Sequence, residues 1–274
     1  MAENNSSHQF GKIRVGRITY SQGWSNPTLP PLTINGEFYH PIVVMMKSHD
    51  TTFPKESKFR NGFSSLSPYI IKDENGVIFE NYWQFSKIYE DVPSSTQHYS
   101  RYDKRVIWSW PKETHALPNG DGNWSITSKY FNWRKQGFMN PYPVRYPVGY
   151  HHRGKCIGSF KTLPDGSLSH VMDYVSSRKE IYLKEYVRLV RQHSDLYEVK
   201  RMLEYGLNIM IIEVDGPHEE SLQYYKDKYD VPSDFIQSNS VEANMENLSI
   251  LLNDPKHPFG HGYCLAIALQ DWYT

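Results

Sequence analysis

LVRQHSDLYEVKRMLEYGLNIMIIEVDGP, residues 189–217, is the stretch of sequence that decides the fold. Its middle part predicts a helix over 196–205, and Gly206 stands where helices commonly end on a left-handed residue. The apolar run over 207–213 predicts a buried strand, because it is continuous rather than alternating. A turn is predicted at 215–217. This order of helix, glycine, strand and turn indicates a domain that contains both helices and strands.

Further helices are predicted on both sides of this stretch. Apolar residues on one face predict a helix over 178–192, and Asp195 with Glu198 resembles the capping box of the next helix. Downstream, helices are predicted over 241–252 and 262–272.

The N-terminal part of the chain is predicted to form short strands. Between residues 12 and 48, β-rich runs alternate with Gly, Pro and Asn. Asn35-Gly36 and Asn75-Gly76 predict two-residue turns. Residues 1–10 are expected to be disordered and residues 11–274 to form one domain. The predicted fold class is therefore α+β, a single compact and mainly helical domain with short N-terminal strands.

Composition and charge exclude some functional classes. The chain has 274 residues and a formal net charge of zero, which excludes a polycationic protein that coats DNA or anionic membranes. The sequence has no signal peptide at its start and no apolar run long enough to span a membrane. Cys156 and Cys264 form no zinc-binding pattern and are predicted to be buried thiols. We therefore expect a cytoplasmic protein without a membrane partner.

Aromatic residues make up 15% of the chain, and many of them fall in the segment 91–170. This segment is also rich in Pro and Gly, which predicts little regular structure but an ordered, aromatic-rich insertion. Trp108, Trp110 and Trp133 in this segment, and Trp83 before it, are predicted to lie in the core. The alternative for one or two of them is stacking on a nucleobase.

The candidate chemistry lies in two neighbouring pieces, FSSLSP at 63–68 and FENYWQFSKIY at 79–89. On a helix over the second piece, Glu80, Gln84 and Lys87 fall within roughly 60° of one another, and aromatic residues take the opposite side. Glu80 and Lys87 would then lie about 10 Å apart along the axis and grip one ligand from two ends. The alternative is a solvated polar face.

These pieces resemble the signature of the NADAR (YbiA-like) family. That signature is Phe-Ser-Asn-Phe-x-Pro, a hairpin, and then Glu-His-x-x-Gln-x-x-Lys. Here FSSLSP and ENYWQFSK (80–87) keep the Glu, Gln and Lys in register, whereas Ser65 replaces the Asn and Asn81 replaces the His. Residues 189–217 and 259–269 resemble two further family segments. The resemblance covers about half of the chain in three islands and leaves the insertion unmatched.

The resemblance implies a NADAR-like domain that binds ADP-ribose and cleaves N-glycosidic bonds. Some members of the family release ADP-ribose from guanine bases of nucleic acid. On this basis Glu80 is the candidate carboxylate for acid–base work or for stabilising an oxocarbenium-like state. Lys87 is the candidate nucleophile, through a Schiff base with the opened ribose, or else the anchor of a phosphate. Gln84 would orient a hydroxyl. Neither mechanism needs a metal or another cofactor.

Further residues are candidates for binding the ligand. The densest basic region of the sequence consists of Arg145 with Tyr146 and the run YHHRGK at 150–155. It suits a pyrophosphate or a nucleic-acid backbone, with a solvated loop as the alternative. The predicted ligand-binding residues are Ser65, Asn81, Trp83, Gln84, Arg153, Lys155 and Asp215. The expected substrate contains ADP-ribose and includes ADP-ribosylated DNA or RNA. The rival interpretations are a catalytically inactive ADP-ribose-binding protein and a nucleic-acid-binding protein.

Overall fold

The described residues fall in six stretches of the chain. The computed structural model describes residues 10–21, 26–44, 63–97, 108–120, 122–148 and 156–272. These residues belong to two compact units. The described parts of 1–45, 49–67 and 190–274 form the first unit, and those of 68–189 form the second. Except for Phe10, the segment predicted to be disordered lies outside the described residues, and the single-domain organisation stays a prediction.

The structure combines strands and helices, which confirms the predicted mixed composition. The strands are β1 (Ile13–Arg17), β2 (Thr19–Ser21), β3 (Asn26–Thr28), β4 (Thr33–Ile34), β5 (Glu37–Phe38), β6 (His40–Val43), β7 (Lys87–Tyr89), β8 (Asp91–Val92), β9 (Ser95–Gln97), β10 (Trp108–Trp110), β11 (Glu113–Thr114), β12 (Ala116–Pro118), β13 (Trp124–Ile126), β14 (Cys156–Ser159), β15 (Ile209–Glu213) and β16 (Ser240–Glu242). The α-helices are α1 (Phe79–Ser86), α2 (Ser128–Phe138), α3 (Tyr174–Ser177), α4 (Lys184–Val190), α5 (Ser194–Glu204), α6 (Leu222–Tyr229), α7 (Met245–Asn253) and α8 (His261–Leu269). In the described part of the chain, no helix has both the length and the apolar character to cross a membrane.

A four-stranded sheet in the order β16-β1-β15-β6 forms the centre of the first unit. The central strand β15 runs parallel to both β1 and β6, and β16 is antiparallel to β1. Every residue of β15 is buried, as its continuous apolar run predicts. Helix α8 contacts β1 and β15, and all nine of its residues are buried.

The end of α5 confirms the prediction for Gly206. Gly206 has a φ of 79°, and its N–H donates to the carbonyl of Leu203. The N–H of Leu207 donates to the carbonyl of Met202, so the two bonds form a Schellman motif. The predicted cap at the other end is wrong, because the helix begins at Ser194 and Asp195 lies inside its first turn.

The two predicted Asn-Gly turns differ in the structure. Asn35 and Gly36 both have positive φ, 51° and 82°, and connect β4 to β5 as predicted. Asn75-Gly76 instead belongs to a three-residue turn, in which Asp73 and Val77 are hydrogen-bonded and only Gly76 has a positive φ. The Asp73 carboxylate accepts the N–H groups of Asn75 and Val77, so it fixes this wider turn.

Three predicted helix boundaries need correction. Helix α1 ends at Ser86 rather than at residue 89, because β7 starts at Lys87 and pairs with β14. The helix predicted from residue 178 starts at Tyr174, where Asp173 caps it, and continues through a π-helical stretch, Arg178–Leu183, into α4. The helix predicted over 241–252 begins only at Met245, because β16 takes the preceding residues.

The aromatic insertion is built from short hairpins, the helix α2 and a core of rings. Its buried cluster contains Phe85, Ile88, Tyr89, Val92, Trp108, Ala116, Tyr130, Trp133, Val144, Val148 and Phe160. The predicted burial of Trp83, Trp108 and Trp133 is therefore confirmed, whereas Trp110 is only partly buried and packs against the cluster. The helix α2 was not predicted. Cys264 is buried as predicted, but the prediction for Cys156 is wrong because this residue is exposed.

Candidate functional site

Three polar side chains on and next to α1 form a continuous line in the second unit. The amide nitrogen of Gln84 donates to Glu80 Oε1 at 2.8 Å. The ammonium nitrogen of Lys87 donates to Gln84 Oε1 at 2.9 Å. Gln84 therefore connects the two charged groups, which the sequence predicted to lie apart. The two bonds also fix which end of the amide faces each neighbour.

Glu80 is buried, with 5% of the residue exposed. It lies in the first turn of α1, where the helix dipole favours a negative charge. A buried carboxylate is costly unless it is paired or hydrogen-bonded, and Gln84 supplies one such bond. The solvated-face interpretation is therefore wrong for Glu80.

Lys87 lies at the end of the line, where its ammonium group also faces an aromatic ring. Its backbone is extended, with φ −71° and ψ 144°, because β7 starts there. The Lys87 Nζ lies 4.6 Å from the centroid of the Trp83 ring. Tyr182, from the π-helical stretch, packs on the same ring at 4.9 Å between centroids. A ring face and an amide oxygen both suit an ammonium ion, so the surroundings of Lys87 favour its charged form.

A second cation, which is buried, belongs to this region. Arg145 is 8% exposed, and its guanidinium carbon lies 5.1 Å from the ring centroid of Tyr146 and 5.7 Å from that of Tyr69. Burial alone would lower the pKa of Arg145, but the two tyrosines and the negative charge of Glu80 outweigh it and raise the pKa. Arg145 thus stays charged and interacts electrostatically with Glu80. The sequence placed Arg145 in a basic region, but its proximity to Glu80 depends on the fold.

Asn81 holds the loop that leads to Arg145. This buried side chain donates to the carbonyls of Asn140 and Tyr142, at 3.2 and 2.9 Å, and accepts the N–H of Val144 at 2.7 Å. Both donor hydrogens of the amide and its oxygen are therefore used by backbone groups. Asn81 was predicted to bind the ligand, and the structure gives its amide a positioning task next to the site.

Ser65 and Asp215 lie in the first unit. The Ser65 hydroxyl donates to the carboxylate of Asp195 in α5. Asp215 is exposed, and its N–H donates to Glu213 Oε1 at 3.2 Å. The structure brings Glu80, Trp83, Gln84 and Lys87 together with Asn81 and Arg145 in the second unit. Arg153 and Lys155 lie outside the described residues.

Glu213, the last residue of β15, has a structural role. Its Oε1 accepts the N–H of Val214 at 2.7 Å, and its Oε2 accepts the N–H of Gly262 at 2.6 Å. His261 Nδ1 lies 3.2 Å from the same Oε2. The carboxylate thus compensates the amino end of α8, where the helix dipole favours an anion.

Neither a metal-binding cluster in the described residues nor a similar known protein indicates a function for this site. Within the described residues, no group of three or more His, Cys, Asp or Glu side chains could hold a metal ion. No family model, curated protein or solved structure matches the chain. The chemistry of the site therefore comes from a buried carboxylate, an amide bridge and two cations set among aromatic rings.

Proposed function

We propose that the second unit binds a nucleotide that contains ADP-ribose and hydrolyses the N-glycosidic bond between its ribose and a guanine-type base. The observation that carries the proposal is the hydrogen-bonded line of Glu80, Gln84 and Lys87, in which Glu80 is buried, with Arg145 close to Glu80. The line occupies the positions at which the chain resembles NADAR proteins. Glu80 supplies an anion for a developing positive charge, and Lys87 and Arg145 supply two cations for a pyrophosphate.

Glu80 performs the central step of the proposed reaction. As the C–N bond to the base breaks, positive charge develops on the ribose, and the carboxylate stabilises it. Water then attacks the anomeric carbon and gives one proton to Glu80. This proton passes to the nitrogen of the departing base, which leaves neutral and restores the carboxylate. The position of Glu80 in the first turn of α1, with the positive charge of Arg145 close by, favours the ionised form of the carboxylate.

Lys87 acts in this proposal as an anchor rather than as a nucleophile. Attack on the anomeric carbon requires a neutral amine. The ring of Trp83 and the oxygen of Gln84 stabilise the ammonium form instead. A phosphate oxygen would extend the same set of contacts, because an ammonium group has three donors.

The test is a hydrolysis assay on ADP-ribosylated guanosine and on a guanine-ADP-ribosylated oligonucleotide. Glu80→Gln should lower kcat by about 100-fold or more, because it removes the charge and the base. Lys87→Met should mainly raise KM. Glu74→Gln is the matched control, since the side chain of Glu74 is 67% exposed and lies in the same unit. Full activity of Glu80→Gln would refute the proposed role of Glu80.

Borohydride separates the two roles of Lys87. Reduction during turnover traps a Schiff base as a stable adduct whose mass includes the ribose. We expect no adduct on Lys87. An adduct that is lost in Lys87→Met would instead establish the nucleophilic route.

A binding protein without catalysis is the second candidate. The residues that replace the family's Asn and His are both engaged in structure, Ser65 with Asp195 and Asn81 with the loop before Arg145. Calorimetry with ADP-ribose, combined with the hydrolysis assay, distinguishes the candidates. Binding without release of the base from either substrate would favour the second one.

A further inference from the structure

Two tryptophans of the insertion form a rigid stack outside the Glu80 site. The rings of Trp108 and Trp110, both in β10, are nearly parallel, with an interplanar angle of 5° and a centroid distance of 5.1 Å. Trp108 is buried and packs edge-on against Phe85 at 4.7 Å. Trp110 is only partly buried, and Trp108 is the one ring among the described residues that stacks on it. One face of Trp110 is therefore supported by the core.

A carboxylate is fixed at the edge of the Trp110 ring. Trp110 Nε1 donates to Glu113 Oε2 at 2.8 Å, and His115 Nε2 lies 3.3 Å from the same oxygen. Burial lowers the pKa of His115, although Glu113 partly opposes this, so His115 is neutral at pH 7. The side chain of Glu113 is 15% exposed. Its other oxygen, Oε1, makes no hydrogen bond within the described part of the chain.

This pair of features has the chemistry of a base-recognition site. A supported indole ring provides a stacking surface for a planar heterocycle. Glu113 Oε1 has lone pairs for two adjacent donors. Guanine carries such donors, N1–H and the N2 amino group, on one edge. Adenine presents an acceptor beside its amino group there, which the carboxylate would repel.

We propose that Trp110 and Glu113 form a binding site for a guanine base. The base stacks on the face of Trp110 that is turned away from Trp108 and donates its N1–H and N2–H groups to Glu113 Oε1. The base belongs to a free nucleotide or to an unpaired guanine in a single-stranded nucleic acid.

This site is separate from the Glu80 line. On α1, Phe85 follows Glu80 by five residues, which places the two side chains about 140° apart around the helix. The tryptophan stack contacts Phe85 and thus lies on the other side of the helix. The inference consequently does not rest on the proposed hydrolysis.

The test measures quenching of tryptophan fluorescence and binding heat with guanosine, inosine and adenosine on the full chain. Guanosine should bind, inosine should bind about tenfold more weakly because it lacks the N2 amino group, and adenosine should not bind. Trp110→Ala and Glu113→Gln should each weaken guanosine binding about tenfold or more. Trp124→Ala is the matched control, because Trp124 is another partly buried ring on a hairpin of the same unit.

Three results would overturn the proposal. They are absence of guanosine binding, equal affinities for guanosine and adenosine, and unchanged affinity in both variants. Glu113→Gln keeps the size of the side chain, so it carries the test if Trp110→Ala lowers the melting temperature. Binding of a single-stranded oligothymidylate of nine nucleotides with one central dG, compared with binding of guanosine, distinguishes the two sources of the base. Tighter binding than guanosine that weakens with salt identifies a nucleic acid, and equal, salt-independent binding identifies a free nucleotide.

Discussion

The two units bury different kinds of side chain, and their buried polar atoms differ in how completely they are hydrogen-bonded. The sheet of the first unit is aliphatic at its centre, and its buried carboxylates are hydrogen-bonded: Asp254 accepts the hydroxyls of Tyr224 and Tyr225 as well as His257 Nδ1. The core of the insertion in the second unit is aromatic. There, the buried nitrogens Trp108 Nε1, Trp133 Nε1 and His115 Nδ1 have no hydrogen-bond partner in the described structure.

An unpaired buried donor costs free energy that a different side chain would avoid. The rings of the insertion are therefore not explained by stability alone. Both candidate sites, the Glu80 line and the Trp110 site, belong to this second unit. The contrast is therefore between a first unit whose buried polar groups are paired and a second unit whose aromatic core contains unpaired nitrogens.

The largest change in stability is expected from removing a buried, hydrogen-bonded carboxylate of the first unit. Glu213→Ala leaves the N–H groups of Val214 and Gly262 without their acceptor and should lower the free energy of unfolding by about 3–5 kcal/mol. Urea unfolding measures this. Glu204→Ala is the control, because Glu204 is exposed in the same unit and its loss should change stability by less than about 0.5 kcal/mol. Similar small losses in both variants would contradict the structural role of Glu213.

Two tyrosine substitutions compare the units directly. Tyr225→Phe removes a hydroxyl that donates to the buried Asp254 carboxylate, and should cost about 1.5–3 kcal/mol. Tyr130→Phe removes one that donates to the neutral carbonyl of Ser86, and should cost about 0.5–1.5 kcal/mol. Denaturant titrations of both variants give the order. A larger loss of stability in Tyr130→Phe than in Tyr225→Phe would contradict the difference between the two cores.

Overpacking tests the aromatic core. A Cβ at Gly137 in α2 would overlap the ring of Phe85 in α1. Gly137→Ala should therefore destabilise the protein by about 1–3 kcal/mol, although alanine is the better helix former. The neighbouring exposed residue provides the control, since Gln136→Ala should be nearly neutral. Increased stability in Gly137→Ala would show that Phe85 is free to move.

Acid should weaken the two units in different pH ranges, and this is the smallest effect. Burial lowers the pKa of His115, so its contribution to stability is complete above about pH 6.5 and is lost as the pH falls from there towards the folded-state pKa. For Asp254, burial raises the pKa, but hydrogen bonds from Tyr224, His257 and Tyr225 outweigh it and lower the pKa. Its contribution is complete above about pH 3.9 and is lost only below that value.

Two variants separate these contributions. Stability measured against pH should flatten below about pH 6.5 in His115→Gln, whereas the wild type loses stability as the pH falls from there. Asp254→Asn should change the curve only below about pH 4. Loss of slope in the same pH range for both variants would contradict the assignment.

Local sequence signals predicted much of the first unit. Gly206 and the apolar run that became β15 act within a few residues, so their structure follows from backbone conformation and burial. Long-range pairing explains the failures. Lys87 leaves the helix because β7 pairs with β14, and the hairpin arrangement around the rings depends on contacts between distant residues.

Local signals predicted one part of the candidate site, and long-range contacts determine the rest. Glu80, Gln84 and Lys87 are close in sequence, and the helical repeat places them on one side. Arg145 reaches this region through a loop that Asn81 holds, which no spacing rule encodes. The solvated-face alternative fails because burial of Glu80 depends on the whole unit.

Calorimetric titration of ADP-ribose into the wild type, Lys87→Met and Glu74→Gln tests the central claim most directly. We predict that the wild type and Glu74→Gln bind ADP-ribose with equal affinity, and that Lys87→Met binds it about tenfold or more weakly at an unchanged melting temperature. Equal affinity in all three proteins, or a wild type that does not bind ADP-ribose, would contradict the assignment of the Glu80–Gln84–Lys87 line as its binding site.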